Sequence, residues 1–234
     1  MLNLVPAFCS DLQRPWLWKG SALGALLVLG LLGLLIVAAS LESQAPTPGL
    51  DRVLRKTGLS LMLTGAAIVG AFSFTADYRT GSFNRRVLLF QRGPAFTGRA
   101  TTTTLAALIS GALMGTAFGL FGVFADGAWH LNPATVLGFC VTAGLGSLWG
   151  FALGSLIRNH LVSLFVVPLS LALPELLSSS LGETGRLLFP TLAANWAENV
   201  AVNIPAFASF AGALCWLVVV SAAASWVFLR RDLA

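Results

Sequence analysis

The sequence predicts an all-α integral membrane protein with six transmembrane helices, and three observations support this fold class. Hydrophobic residues make up 56% of the 234 residues and charged residues only 10%, whereas soluble domains are roughly one quarter charged. The mean hydropathy is +0.84. The apolar residues form segments of roughly 20 residues, the length that crosses the hydrocarbon core. No length remains for a soluble domain, so residues 1–234 are predicted to form a single transmembrane domain.

Charge and cysteine usage exclude several function classes. The formal net charge of +5 could indicate a nucleic-acid partner. The basic residues stand at the ends of apolar segments, however, where they orient spans and contact anionic lipid. We therefore predict membrane lipid as a partner and no nucleic acid. Cys9, Cys140 and Cys215 show neither CxxC nor metal-ligand spacing and are predicted to be packing residues.

Residues 1–19 are predicted to form an amphipathic helix that lies in the membrane interface. Leu4, Phe8 and Leu12 recur at a helical spacing and form its apolar face, as in interfacial helices. Asp11 and Arg14 are among the polar residues outside that face. A frayed tail is the alternative for residues 1–10.

Six spans are expected in order along the chain, at residues 21–39, 58–75, 100–124, 133–157, 161–177 and 206–229. Pro46, Pro48 and Gly49 interrupt the connection at residues 40–57, because these residues break helices. The fifth span contains Pro168 and Pro174. Lys and Arg concentrate on one side of this arrangement, and the excess of such residues in cytoplasmic loops places both termini in the cytoplasm. The predicted location is the inner or plasma membrane.

Residues 77–99 carry five arginines between the second and third spans. Arg79, Arg85, Arg86, Arg92 and Arg99 are accompanied by a single acid, Asp77. This composition predicts a water-facing cytoplasmic connection. We interpret it as a docking surface for a soluble partner that supplies energy, and the alternative is a loop that only sets topology.

Two rows of glycines predict close helix packing in the third and fourth spans. The members repeat every four residues: Gly111, Gly115 and Gly119 in one span, and Gly146, Gly150 and Gly154 in the other. Small residues at this spacing line one helix face and let two backbones approach. We interpret these glycines as packing residues.

Neither a nucleotide-binding nor a catalytic motif is present, so the chain is not expected to be an enzyme by itself. A P-loop requires GxxxxGK[ST], and the string at residues 182–186, GETGR, lacks the lysine. His130 and His160 stand alone, so no metal site is predicted. The middle of each span lacks Asp, Glu, Lys and Arg, although ion-coupled carriers usually place such residues there. A driving force from outside the spans is therefore expected, with residues 77–99 as the docking surface.

A distinctive motif begins the arginine-rich residues 77–99. Residues 77–82 read DYRTGS and are followed by Arg85, Leu88, Gly93-Pro94 and Arg99, which resembles the signature of type-2 ABC transporter permeases. Asp77 stands where that family often has Glu, and Ser82 where it has Thr. The six spans, the interfacial N-terminus and the short charged tail after the last span are similar to the family over the whole chain.

The resemblance implies the membrane subunit of an ATP-driven exporter, whose ATPase is a separate soluble chain that binds the ATP and Mg. It further implies two permease copies, a homodimer being favoured over a heterodimer. Short re-entrant helices would form on the outer side at residues 178–205, where a plain loop is the alternative. A coupling helix at residues 77–86 would contact the ATPase through a set of residues: Asp77, Tyr78, Arg79, Thr80, Gly81, Ser82, Arg85 and Arg86.

The substrate is expected to be hydrophobic or amphipathic, such as a drug, an antibiotic, a peptide or a lipid. Phe72, Phe74 and Leu169 are the candidate residues of its pathway, although aromatic residues in spans usually serve packing. Two other function classes remain open. A channel or secondary carrier would transport without an ATPase, and a membrane scaffold would not transport at all.

Overall fold

The computed structural model describes residues 4–14, 50–126, 132–177, 182–201 and 206–230, residue 180, and short pieces between residues 18 and 34. Within these residues all regular structure is helical. The α-helices are α1 Leu4–Leu12, α2 Leu50–Arg79, α3 Ser82–Phe90, α4 Arg92–Asp126, α5 Pro133–Ile157, α6 His160–Leu176, α7 Phe189–Ala201 and α8 Phe207–Arg230, and a 3₁₀ helix spans Gly182–Leu187.

Among the described residues, four helices are long and apolar enough to cross a membrane, which indicates a helical membrane protein of the multi-pass type. They include Arg52–Arg79 of α2, Arg92–Leu120 of α4, and the whole of α5 and α8. The helix α6 is apolar but shorter, with 17 residues. The predicted first span, at residues 21–39, lies largely outside the described residues, as do Pro46, Pro48, Gly49 and His130.

The fourth predicted span has the same limits as helix α5, whereas the helices at the second and third predicted spans extend beyond the predicted limits. The helix α2 begins at Leu50, within the predicted connection, and continues to Arg79, four residues beyond the predicted end of the second span. The helix α4 begins at Arg92 rather than at residue 100. Pro94 is accommodated because it lies in the first turn of α4, where a missing backbone N–H breaks no helical hydrogen bond.

The central helix is α5, which contacts α2, α4, α6, α7 and α8. Its glycines allow this crowding. A Cβ added at Gly150 would be 1.8 Å from the Ala67 carbonyl oxygen of α2, and one at Gly146 would be 2.3 Å from the Leu63 carbonyl oxygen. Gly154 similarly approaches Ala71.

The glycines of α4 pack against α5. Added Cβ atoms at Gly111 and Gly115 would lie 2.5 Å from the Phe139 carbonyl oxygen and 2.7 Å from the Val136 Cα, and Gly119 is buried. The two glycine rows therefore belong to different contacts: α4 uses its row against α5, whereas α5 uses its row against α2.

One end of the bundle, which we call the arginine end, is where α2 ends and α3 and α4 begin. The end of α5 lies there too, because Arg158 Nη1 donates to the Tyr78 hydroxyl over 3.2 Å. So does the end of α8, since Arg92 Nη1 donates to the Leu229 carbonyl oxygen over 3.0 Å. At the opposite end, Lys56 Nζ lies 3.9 Å from Glu198 Oε1.

Residues 178–205, where a loop was the alternative, contain helix α7, which runs back along α5. The Phe189 ring stacks on Trp149 with centroids 4.2 Å apart, and a Cβ at Gly138 would be 3.4 Å from the Ala197 carbonyl oxygen. From residue 149 to residue 138 along α5 is about 16 Å at 1.5 Å per residue. The helix α7 therefore lies within the length of α5 and runs toward the end opposite the arginine end.

Candidate functional site at the arginine end

The short helix α3 connects α2 to α4 through two tight turns. Gly81 has φ 67° and Gln91 has φ 70°, in the region that side chains with a Cβ rarely occupy. Ser82 Oγ donates to the Asp77 carbonyl oxygen over 3.3 Å, and the Gln91 N–H donates to the Val87 carbonyl oxygen over 2.9 Å. These turns place α3 across the arginine end instead of continuing either long helix.

The sequence of α3 gives it two different faces. Phe83, Arg86, Val87 and Phe90 recur at the spacing of one helix face, and all four are buried or half-buried. Phe83 is fully buried in an aromatic cluster. Its ring centroid lies 5.0 Å from that of Phe74 and 5.4 Å from that of Phe228. The apolar face therefore fixes α3 to the ends of α2 and α8.

The opposite face of α3 combines exposed leucines with exposed arginines. Leu88 is 87% exposed and Leu89 is 71% exposed. Arg85, in the turn before them, and Arg79, at the end of α2, are exposed as well. We call Arg79, Arg85, Leu88 and Leu89 the outer patch. Two neighbouring leucines that are this exposed beside arginines form a small amphipathic surface, which suits contact with lipid or with a protein partner.

Beneath α3 lies a buried group of opposite charges, which we call the charge network: Asp11, Arg14, Asp77, Arg86 and Arg99. Asp11 of α1 is fully buried, Arg86 is 4% exposed and Arg99 is 2% exposed. Arg86 Nη1 donates to Asp11 Oδ1, and Arg99 Nη1 donates to the same oxygen over 3.3 Å. A single carboxylate oxygen thus joins α1, α3 and α4.

Asp77 is the second acid of the charge network. It accepts a hydrogen bond from Arg14 Nη1 over 2.7 Å, and its Oδ2 lies 3.2 Å from Arg99 Nη2. Because Arg14 and Asp77 keep 30% and 13% of their side chains exposed, the deeply buried charges of the network are one acid, Asp11, and two arginines, Arg86 and Arg99. Pairing of this kind is required, since a buried charge without a partner costs several kcal/mol.

The structure divides the predicted ATPase-contact residues into two groups. Arg79, Thr80 and Arg85 are exposed, Thr80 and Gly81 form the turn between the helices, and Ser82 begins α3. Arg86 and Asp77 belong to the charge network, and the Tyr78 hydroxyl accepts from Arg158. The prediction of a wholly water-facing connection is therefore wrong for Arg86 and Arg99. The short helix also begins later than predicted, at Ser82 rather than residue 77, because α2 continues through Arg79.

The three predicted pathway residues lie in different places. Phe74 is fully buried in the aromatic cluster. Phe72, two residues earlier and so on another face of α2, stacks on the His160 ring with centroids 4.4 Å apart. Leu169 is 50% exposed on α6. The structure does not bring them together along one path.

Asp11 is a member of the charge network that the sequence did not single out. The sequence predicts it outside the apolar face of an interfacial helix, yet it is fully buried. A signal existed, because Ala7 and Asp11 are four residues apart and share a face, and a small residue there permits close packing. Within the described residues no group of three or more His, Cys, Asp or Glu side chains could bind a metal ion.

Comparison with protein-family models, with curated proteins and with solved structures gives no match for this chain.

Proposed function

We propose that this chain is the membrane-spanning permease subunit of an ATP-driven ABC exporter of the type-2 class, powered by a separate soluble ATPase. The observation that carries the proposal is the outer patch. It belongs to a short helix fixed to the ends of α2, α4 and α8, so a force applied to it acts on three long helices at once. A loop that only sets topology needs neither exposed leucines nor such fixation.

The charge distribution supports the cytoplasmic side for this surface. Arg79, Arg85 and Arg230 are exposed at the arginine end, and cytoplasmic surfaces of membrane proteins carry an excess of arginine and lysine. ATP and Mg would bind to the ATPase. Leucines flanked by arginines suit a cleft of that partner with an apolar floor and an acidic rim.

The remaining parts of the proposal follow from the shapes of the helices. The helix α7 lies within the length of α5, which suits a re-entrant helix on the outer side. The outward faces of α6 and α8 are apolar, with Leu161, Phe165, Val218 and Trp226 exposed, which suits contact with lipid and with a second permease copy. A hydrophobic or amphipathic cargo, moved out of the cytoplasm, remains part of the proposal.

The test is co-purification of the tagged full chain from its source membrane in mild detergent. We expect a soluble chain with a P-loop and Mg-dependent ATP hydrolysis. The double variant Arg79→Glu/Arg85→Glu should lose this partner while inserting normally, because it reverses two charges of the outer patch. Arg52→Glu, an exposed reversal at the opposite end, is the matched control.

Two outcomes would overturn the proposal in different ways. Transport by the purified chain in vesicles without any ATPase would identify a channel or secondary carrier. A chain that shows no transport and no ATPase partner would be a scaffold.

A further inference from the structure

We propose that Asp11 is a positioning residue that fixes the orientation of α3 through Arg86. Through this contact the N-terminal helix would determine how much of a movement at the outer patch reaches the long helices. The role in transmitting movement rests on the proposed function, whereas the role in orienting α3 concerns this chain alone.

The turns at both ends set the direction of α3 and leave its rotation about its own axis to side-chain contacts. The turn at Gly81 has open space around it, with no heavy atom within 4 Å of an added Cβ. At the other turn, Gln91 is exposed. Phe83 anchors α3 through apolar contact, but apolar contact is not directional, so α3 could still rotate about that ring.

The contact between Arg86 and α1 fixes this rotation. Arg86 Nη1 donates to Asp11 Oδ1, and its Nη2 donates to the Ala7 carbonyl oxygen over 3.1 Å. A planar guanidinium that makes two hydrogen bonds to one helix has a defined orientation. Burial of both charged partners makes the contact hard to exchange for water.

The helix α1 can orient α3 only because α1 is itself fixed to α4. Arg99 Nη1 donates to Asp11 Oδ1 over 3.3 Å, and Gly98 lies beneath Ala7, where an added Cβ would be 3.4 Å from the Ala7 Cβ. Among the described residues, Asp11 is thus the one acid whose side chain connects α3 to the start of a long helix. Asp77 cannot replace it, because its ion pairs are with Arg14 and Arg99.

Hydrogen exchange of the purified full chain in lipid nanodiscs tests the contact. In Asp11→Asn, amides of residues 82–90 should exchange at least about tenfold faster, because removing one member of a buried ion pair leaves the other uncompensated. Residues 133–157 should keep their exchange rates. The control Glu198→Gln removes the same charge at a half-exposed site of the opposite end, where its 3.9 Å ion pair with Lys56 contributes little.

A double variant separates the contact from a general loss of folding. Arg86→Met alone should also speed exchange in residues 82–90. The combination Asp11→Asn/Arg86→Met should speed the exchange of residues 82–90 by less than the product of the two single fold-increases, because the two residues act through one contact. Exchange at the wild-type rate in Asp11→Asn, or single effects that multiply fully, would overturn the proposal.

The coupling role is tested on the complex with the co-purifying ATPase. In the wild type, ATP and Mg should change the exchange of residues 133–157. In Asp11→Asn the ATPase should still bind and hydrolyse ATP, but that change should be lost. An unaltered ATP-dependent change would overturn the coupling role. Absence of an ATPase from the wild-type complex would refute the proposed function and the coupling role with it. The orientation of α3 would still be decided by the hydrogen exchange of the purified chain.

Discussion

The Arg99 guanidinium donates from Nε and Nη2 to the Ser73 carbonyl oxygen, over 3.2 and 3.0 Å. Ser73 lies one and a half turns before the end of α2, and Arg99 lies two turns into α4. The same side chain bonds to Asp11 and Asp77, so it connects α1, α2 and α4. Arg99 is therefore a structural residue, although its position in the sequence indicated only the basic entry to a span.

Replacing Arg99 should destabilise the protein. We expect Arg99→Met to lower the free energy of unfolding by about 3 kcal/mol, because charged hydrogen bonds to a buried carbonyl and two carboxylates are lost. Arg99→Lys should recover only part of this, since an ammonium lacks the planar donor pair. The midpoint of thermal unfolding in detergent measures the effect. Arg85→Met, at an exposed site, should leave the midpoint unchanged; equal midpoints for the Arg85 and Arg99 variants would contradict this role.

The contact between α2 and α5 should not tolerate a single added methyl group. A Cβ at Gly150 would lie 1.8 Å from the Ala67 carbonyl oxygen, so the two helices must separate in Gly150→Ala. Overpacking of this kind costs about 1–3 kcal/mol. Gly93→Ala is the matched control, because Gly93 lies in α4 with open space around it. Thermal unfolding that is the same for both variants would contradict the packing described above.

At the turn before α3, the effect of backbone conformation can be measured separately from that of steric crowding. Gly81 has open surroundings but φ 67°, so Gly81→Ala should cost about 1–2 kcal/mol from backbone strain alone. Gly81→Asn should cost less, because Asn enters the left-handed region more readily. Chemical denaturation of the three proteins in detergent should rank them Gly, Asn, Ala in decreasing stability. If Ala were as stable as Gly, the left-handed turn would be wrong.

The sequence predicted the helical class and the limits of one long helix because apolar length and composition are local properties of the chain. Pro133–Ile157 begins and ends where expected, with Asn132 as its N-cap. The limits of α2 and α4 were less predictable. Their polar ends at Arg52, Asp77 and Arg92 resemble loops in composition but remain helical.

The charge network could not be predicted from composition, because its members are far apart in sequence and meet only after packing. Asp11 and Arg86 are separated by 75 residues, and each taken alone suits a water-facing surface. The run of arginines in residues 77–99 does indicate where the site lies. Which of those arginines face inward depended on the 3.6-residue period of α3, in which Phe83 and Arg86 share a face.

The central claim, that the outer patch contacts a soluble ATPase, is tested most directly by photo-cross-linking from position 88 in the source membrane. A photoreactive amino acid replaces Leu88, and the same residue at Leu113, 63% exposed on α4, serves as the control. The account predicts that position 88 forms an adduct with a soluble chain that carries a P-loop, whereas position 113 yields only lipid or membrane-protein adducts. Lipid adducts alone from position 88 would contradict the account and would place α3 against the membrane surface.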